Sequence, residues 1–168
     1  MRTRCREEAD MLQVTVSTDP LTESNCYILT EGLYTEGAHA EGALTEISGC
    51  VVIDPGESEN LLRLLEEKKR EPELLLLTHE HCDHMAGMDA VRARYPGARF
   101  AATAVCNEGI QNTRLNMSRI MEVYLYFRGK PGIHYDPFVC GAADEIIAPD
   151  AVLDWNGHKL RYIPMPGH

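Results

Sequence analysis

Four residues that could bind a metal ion lie within six positions of one another: His79, His81, Asp83 and His84. Neutral imidazole nitrogens with a carboxylate oxygen suit zinc, and they also suit iron or manganese in a site richer in oxygen ligands. Residues two apart in an extended segment point to the same side, so His79 and His81 could contact one ion. Asp83 and His84 could contact a second ion as the chain turns. The cluster therefore predicts a metal centre.

This cluster differs from the metalloprotease motif H-E-x-x-H, because Asp83 stands where that motif has its second histidine. Glu80 is therefore not assigned as a general base. Cys82 alternates away from His81 and Asp83, and we expect it to pack in the interior rather than bind metal. Three isolated histidines are expected to have ordinary structural or surface roles: His39, His134 and His158.

A short apolar strand is expected to position the cluster. Residues 73–77 read ELLLL, apolar on both faces, which predicts a buried strand flanked by helices. The cluster follows at the carboxyl end of this strand, where open sheets commonly place their sites. Residues 25–30 and 49–53 are also predicted strands, the second ending at an Asp-Pro-Gly turn.

The same alternation of patterns predicts the fold class. Ser58 is a plausible N-cap for a helix with apolar residues on one face, namely Leu61, Leu62, Leu64 and Leu65. A second helix is indicated by the spacing of Met88, Val91 and Tyr95. Residues 34–46 resemble an enlarged hairpin loop, and Asn156–Gly157 predicts a tight hairpin turn. Strands that alternate with helices and then give way to hairpins indicate an α/β fold, layered around a mixed sheet.

Composition disfavours several classes of partner. The chain has 16 Lys and Arg residues against 26 Asp and Glu, a net charge of −10, and nucleic-acid binding depends on basic residues. No apolar run approaches the roughly 18–20 residues of a membrane span. The charged N-terminus has no apolar signal segment, and the six scattered cysteines include no C-x-x-C pair. We therefore expect a cytoplasmic protein with free thiols and no membrane partner.

Three motifs together resemble the metallo-β-lactamase superfamily. The order His79-x-His81-x-Asp83-His84 after an apolar strand is similar to its metal-binding signature. The segment VVIDPG resembles a second family motif and would place Asp54 near the metals, while IPMPGH resembles the family's Pro-Gly-His turn and contains His168. The segments NCYI and LNMS look most like the glyoxalase-II-like thioester hydrolases.

The resemblance implies a function and a role for each matched residue. A first ion would be held by His79, His81 and His168, and a second by Asp83 and His84. Asp54 would orient a ligand imidazole, and Asp54 and Asp83 are the expected catalytic carboxylates. The implied enzyme is a hydrolase with two zinc ions, or iron or manganese, that activates water against a thioester or related small acyl substrate.

The position of the Pro-Gly-His turn departs from the family pattern. In the family this turn lies near the middle of an αββα sandwich, and the second half supplies a bridging aspartate and a final histidine. We therefore expect residues 1–10 to be a charged extension and residues 11–168 to be the N-terminal half of such a domain, either truncated or completed by homo-oligomerisation. Two alternatives stay open: an iron-dependent sulfur oxygenase on the same scaffold, and an incomplete domain that acts as a binding or assembly module.

Overall fold

The computed structural model describes residues 10–33 and 48–165 of the chain. Within these ranges six strands form one sheet, ordered as they occur along the chain. They are β1 Asp10–Thr18, β2 Asn25–Leu33, β3 Ser48–Ile53, β4 Arg70–Leu76, β5 Arg99–Thr103 and β6 Glu145–Ile147. Strands β1 to β3 pair antiparallel, whereas β3 to β6 pair in parallel. The sheet is therefore mixed, and the predicted α/β class is confirmed.

Helices connect the parallel strands, as crossover connections require. They are α1 Glu59–Glu67, α2 Cys82–Met85, α3 Met88–Arg94, α4 Ala104–Ile110 and α5 Met121–Phe127, with a 3-10 turn at Ser118–Ile120. The buried faces of α1 and α3 contain the predicted residues Leu61, Leu65, Met88 and Val91. These helices therefore form where the apolar spacing predicts them.

The two faces of the sheet are covered differently. On one face Leu75 and Leu77 of the β4 segment pack in a cluster that contains the buried residues of all five helices. On the other face Leu74 and Leu76 pack with Trp155. Alternate residues of a strand point to opposite faces, which explains the unbroken leucine run. The prediction that helices flank this strand is therefore correct for one face only.

A small hairpin covers part of the second face. It consists of β7 Val152–Trp155 and β8 His158–Arg161, which pair antiparallel. The turn lies at Asn156 and Gly157, both with positive φ, 51° and 86°. This is the two-residue hairpin turn that the Asn-Gly pair predicts.

The start of α1 differs in detail from the prediction. Ser58 occupies the N-cap position, but its side chain makes no capping hydrogen bond. The carboxylate of Glu57 instead accepts from the backbone nitrogens of Glu59, at 2.6 Å, and Asn60, at 3.0 Å. An acidic group at this end is also favoured by the helix dipole.

Several predictions concern residues outside the described ranges. These are most of the charged extension, the loop at 34–46 and His168, while β1 begins at Asp10, the last residue assigned to the extension. The division into extension and domain therefore stays a prediction. No helix in the described ranges is long and apolar enough to cross a membrane. The expected cytoplasmic location stays a prediction as well.

Candidate metal centre

The ends of two neighbouring parallel strands create the candidate site. Strands β3 and β4 pair so that Ile53 lies beside Leu76, and the backbone nitrogen of Asp54 donates to the Leu76 carbonyl at 3.0 Å. Residues that follow the two strands therefore emerge at the same edge of the sheet. Asp54 follows β3 with φ of 56°, a left-handed conformation that Asp tolerates better than most residues.

Three histidine rings meet at this edge. The ring centroids of His79 and His81 are 4.6 Å apart, and those of His79 and His84 are 4.1 Å apart. His84 Nε2 lies 3.8 Å from the Asp83 carboxylate. Helix α2, which begins directly after His81, carries Asp83 and His84 back toward His79. The structure thus brings these four predicted residues together.

Asp54 contacts both Thr78, which precedes the cluster, and His84, which ends it. Only 2% of its surface is exposed. Its Oδ1 accepts from the backbone nitrogen of Thr78 at 2.7 Å, and its Oδ2 accepts from the Thr78 hydroxyl at 2.6 Å. His84 Nδ1 lies 3.0 Å from Oδ2 as well. Thr78 Oγ1 is in turn 2.9 Å from His79 Nδ1. Thr78 was not among the predicted site residues, although it directly precedes the first histidine.

Two opposing effects act on the pKa of His84. Burial disfavours the imidazolium and would lower this pKa. The hydrogen bond and charge of Asp54, together with the charge of Asp83, act in the other direction and prevail. The pKa of His84 is therefore raised, as expected for an imidazole between two carboxylates.

Cys82 lies between His81 and Asp83 in sequence, but its side chain points into the core rather than toward the histidine rings. The side chain is fully buried in the helix-side core. Burial raises the pKa of the thiol to about 11, even though a hydrogen bond with Tyr135 acts to lower it. The predicted packing role of Cys82 is confirmed.

A segment that is distant in sequence supports the histidine loop, which comprises residues 79–84. The carbonyl of Asn116 accepts from the backbone nitrogen of Cys82 at 2.8 Å. The fully buried side chain of Asn116 donates to the Phe138 carbonyl at 2.8 Å and accepts from the Ser118 nitrogen at 2.9 Å. Asn116 therefore fixes three segments that are far apart in sequence. The bond to Ser118 is local, whereas Cys82 and Phe138 lie beyond the range of helix or turn motifs, so no local pattern reveals these two contacts.

An open cleft of about 480 Å³ borders the cluster. Its lining includes Asp54, Thr78, Asp83 and His84 of the cluster region, together with Glu23, Tyr124 and Arg128. The Arg128 guanidinium lies 2.8 Å from the Glu23 carboxylate. Lys130 also contacts Glu23, at 3.3 Å, so that two cations share one carboxylate at this rim.

The donor set of the cluster fits a divalent ion chemically, since it combines imidazole nitrogens with carboxylate oxygens. Among residues 10–33 and 48–165, however, no three His, Cys, Asp or Glu side chains are arranged so that they could hold an ion. His168 lies outside these ranges. The assignment of metal ligands therefore stays a proposal.

Comparison with known families identifies the class of protein. Residues 45–167 match the profile of the metallo-beta-lactamase superfamily, which covers most of the chain. The chain therefore belongs to the metallo-beta-lactamase superfamily. The membership predicted from the three motifs is confirmed.

Individual relatives refine this placement. The hydroxyacylglutathione hydrolase of Serratia proteamaculans is 38% identical over 120 residues, which cover 71% of this chain and 35% of that protein. The hydroxyacylglutathione hydrolase of Pectobacterium atrosepticum is 33% identical over 103 residues, covering 55% of this chain and 41% of that protein. The predicted similarity to glyoxalase II enzymes is confirmed, and the chain spans less than half the length of these relatives.

A solved structure supports the fold. The crystal structure of BLEG-1 B3 metallo-beta-lactamase superposes with a TM-score of 0.59 at 22% sequence identity. The match covers 89% of this chain and 58% of that chain. At this level of identity the likeness concerns the fold, because one fold hosts many activities.

Proposed function

We propose that this chain forms the metal-binding part of a hydrolase that cleaves a thioester or a related acyl substrate. The observation that carries the proposal is the meeting of three histidine rings beside Asp83, at the shared edge of β3 and β4. Perturbed and convergent groups of this kind beside a cleft are typical of catalytic sites. Membership of the superfamily and similarity to hydroxyacylglutathione hydrolases support the same conclusion.

The proposed ligands divide into two sets. His79, His81 and His168 hold the first ion, and Asp83 and His84 contribute to the second. Zinc is the expected ion, while the same donors also accept iron or manganese. Bound there, zinc would lower the pKa of a water molecule to about 7 and so supply a nucleophile at neutral pH.

The chain's own residues orient this chemistry. Asp54 accepts from Thr78 and lies within hydrogen-bonding distance of His84, so it restrains the rings on both sides of the cluster. The Asp83 carboxylate faces the cleft, where it can accept a proton from an attacking water. Buried partners of this kind hold ligands in place and tune their basicity.

The cleft also offers a place for an acidic substrate. Arg128, which lines the cleft, and Lys130 beside it both contact the Glu23 carboxylate, so two cations lie close together at this rim. A hydroxyacylglutathione, the substrate class named for the relatives, carries carboxylates that such a rim can bind. The thioester would then extend toward Asp83 and His84, which line the same cleft.

Substitution of the first ligands tests the proposal. We expect His79→Ala and His81→Ala to lose bound metal, measured by elemental mass spectrometry, and to lose hydrolysis of a hydroxyacylglutathione. His134→Ala is the matched control, because His134 is an exposed histidine that contacts Glu122 and Asp136 instead.

Each outcome of this experiment has a distinct meaning. Metal content and turnover that survive both substitutions would refute the proposal. Bound iron with oxygen consumption that depends on substrate would favour the oxygenase. A folded chain with neither metal nor turnover would favour a binding or assembly module.

A further inference from the structure

The hydrogen bonds around Asp54 determine where the proton of Thr78 lies. An ionised carboxylate only accepts hydrogen bonds, and the Thr78 hydroxyl has a single proton to donate. The hydroxyl lies 2.6 Å from Asp54 Oδ2, a distance typical of a charge-assisted O–H···O bond. The Thr78 proton therefore points to Asp54, and its oxygen is left as an acceptor.

This constraint extends to the neighbouring imidazole. His79 Nδ1 is 2.9 Å from Thr78 Oγ1, within hydrogen-bonding distance. Because Thr78 has no second hydroxyl proton, His79 must donate in this bond. The neutral His79 ring therefore carries its proton on Nδ1 and its lone pair on Nε2.

The contact between Asp54 and His84 imposes the same tautomer on the His84 ring. His84 Nδ1 lies 3.0 Å from Asp54 Oδ2, and only a protonated Nδ1 can bond to a carboxylate oxygen. The neutral His84 ring therefore also has its lone pair on Nε2. One buried carboxylate thus sets two imidazoles in the same tautomer, one directly and one through a threonine.

We propose that Thr78 is a positioning residue that transmits the influence of Asp54 to His79 and keeps Nε2 as its metal-binding nitrogen. This role in metal binding rests on the proposed function, whereas the tautomer is a property of the metal-free chain. Threonine suits the role because its branched side chain has few χ1 rotamers. Its backbone nitrogen is also bonded to Asp54, at 2.7 Å, so the residue is held at two points.

The first test measures the tautomer directly. Nitrogen-15 NMR of the metal-free chain, recorded about two pH units above the ordinary imidazole pKa of about 6.5, distinguishes protonated Nδ1 from protonated Nε2. We expect His79 to be protonated on Nδ1 in the native chain and in Thr78→Ser, which keeps the hydroxyl. Thr78→Val has nearly the same shape without the acceptor, and we expect it to populate the other tautomer. An unchanged His79 tautomer in Thr78→Val would overturn the proposal.

The second test measures the consequence for metal. Competition titration with a chelator should show zinc affinity about 10–100-fold weaker in Thr78→Val, with native affinity in Thr78→Ser. Thr15→Val is a remote control, since Thr15 lies in the middle of β1, opposite Ile28 of β2, and outside the cleft. Equal affinity in the native chain and Thr78→Val would refute the positioning role while leaving the hydrolase proposal intact. If the native chain binds no zinc, the hydrolase proposal fails, and the NMR result still decides whether Thr78 sets the tautomer.

Discussion

At the scale of single residues, Asp54 combines an unfavourable backbone with several hydrogen bonds. A non-glycine residue at φ of 56° carries a conformational cost of order 1 kcal/mol or more. Its carboxylate accepts from the Thr78 backbone and hydroxyl and contacts His84, so the cost is offset by contacts within the cluster. Backbone strain that is retained for such contacts is typical of functional sites.

Asp54→Asn is the sharpest test of this residue. Asparagine tolerates the left-handed conformation, so the fold should persist, but its amide nitrogen cannot accept from Thr78 or His84. We expect zinc affinity to fall about 10–100-fold, measured by chelator competition, with little change in far-UV circular dichroism. Asp150→Asn, in an exposed turn, is the control. An Asp54→Asn chain that binds zinc as the native chain does would show that Asp54 has no role in the site.

At the scale of elements, the histidine loop depends on the segment before α5. Asn116 bonds to Cys82 through its carbonyl and to Phe138 and Ser118 through its side chain. The loop between β4 and α3 is thus held by residues more than thirty positions later in the chain. Short apolar spacing predicts individual helices, whereas such cross-links between elements depend on the completed fold.

Asn116→Leu should therefore lower the stability of the folded chain. The substitution keeps the side chain's size but leaves the Phe138 carbonyl and the Ser118 nitrogen without this partner. We expect the free energy of unfolding to fall by about 1–3 kcal/mol, measured by urea denaturation. The exposed Asn112 accepts from the Arg114 nitrogen, and Asn112→Ala should cost less. Equal losses in the two variants would contradict a special role for Asn116.

The sequence predicted the elements that have strong local signals. The Asp-Pro-Gly turn and the Asn-Gly hairpin form where they were expected, and the leucine run lies in a strand that begins at Arg70 rather than at Glu73. Helix α4 was not predicted, because it is only seven residues long and has Gly109 in its interior. Strand β1 was also not predicted, and its pairing with β2 depends on a partner outside its own segment.

Part of the site was also predictable, because some of its residues form a strong local signal. His79, His81, Asp83 and His84 stand out because their residue types cluster in sequence. Thr78 does not, and Asn116 was noted only as part of the segment LNMS, since the roles of a threonine and an asparagine depend on their partners. Their roles follow from hydrogen bonds to Asp54 and Phe138, which the fold alone brings within reach.

At the scale of the whole molecule, the residues that the structure describes cover one face of the sheet only in part. Leu12 packs into the cluster around Trp155, but Val14 and Val16, which follow at alternate positions on β1, are 56% and 50% exposed. Apolar surface on an edge strand favours association with another chain. This face is where an additional layer or a second copy would contact the sheet.

The double substitution Val14→Thr and Val16→Thr tests that surface. Threonine keeps the β-branched shape that suits a strand while adding a polar group. We expect the isolated chain to associate, and the variant to have a lower average mass by light scattering. Thr15→Val is the opposing control on the other side of β1. A native chain that stays monomeric at high concentration would show that the exposed valines do not drive association.

Metal binding by the histidine cluster can be tested directly through the metal content of the purified native chain. Elemental mass spectrometry should find at least one zinc ion per chain, and the ion should be absent from His79→Ala. Two ions per chain would also support the ligand set that includes Asp83 and His84. A folded native chain that takes up no zinc, iron or manganese when these ions are supplied would contradict the account.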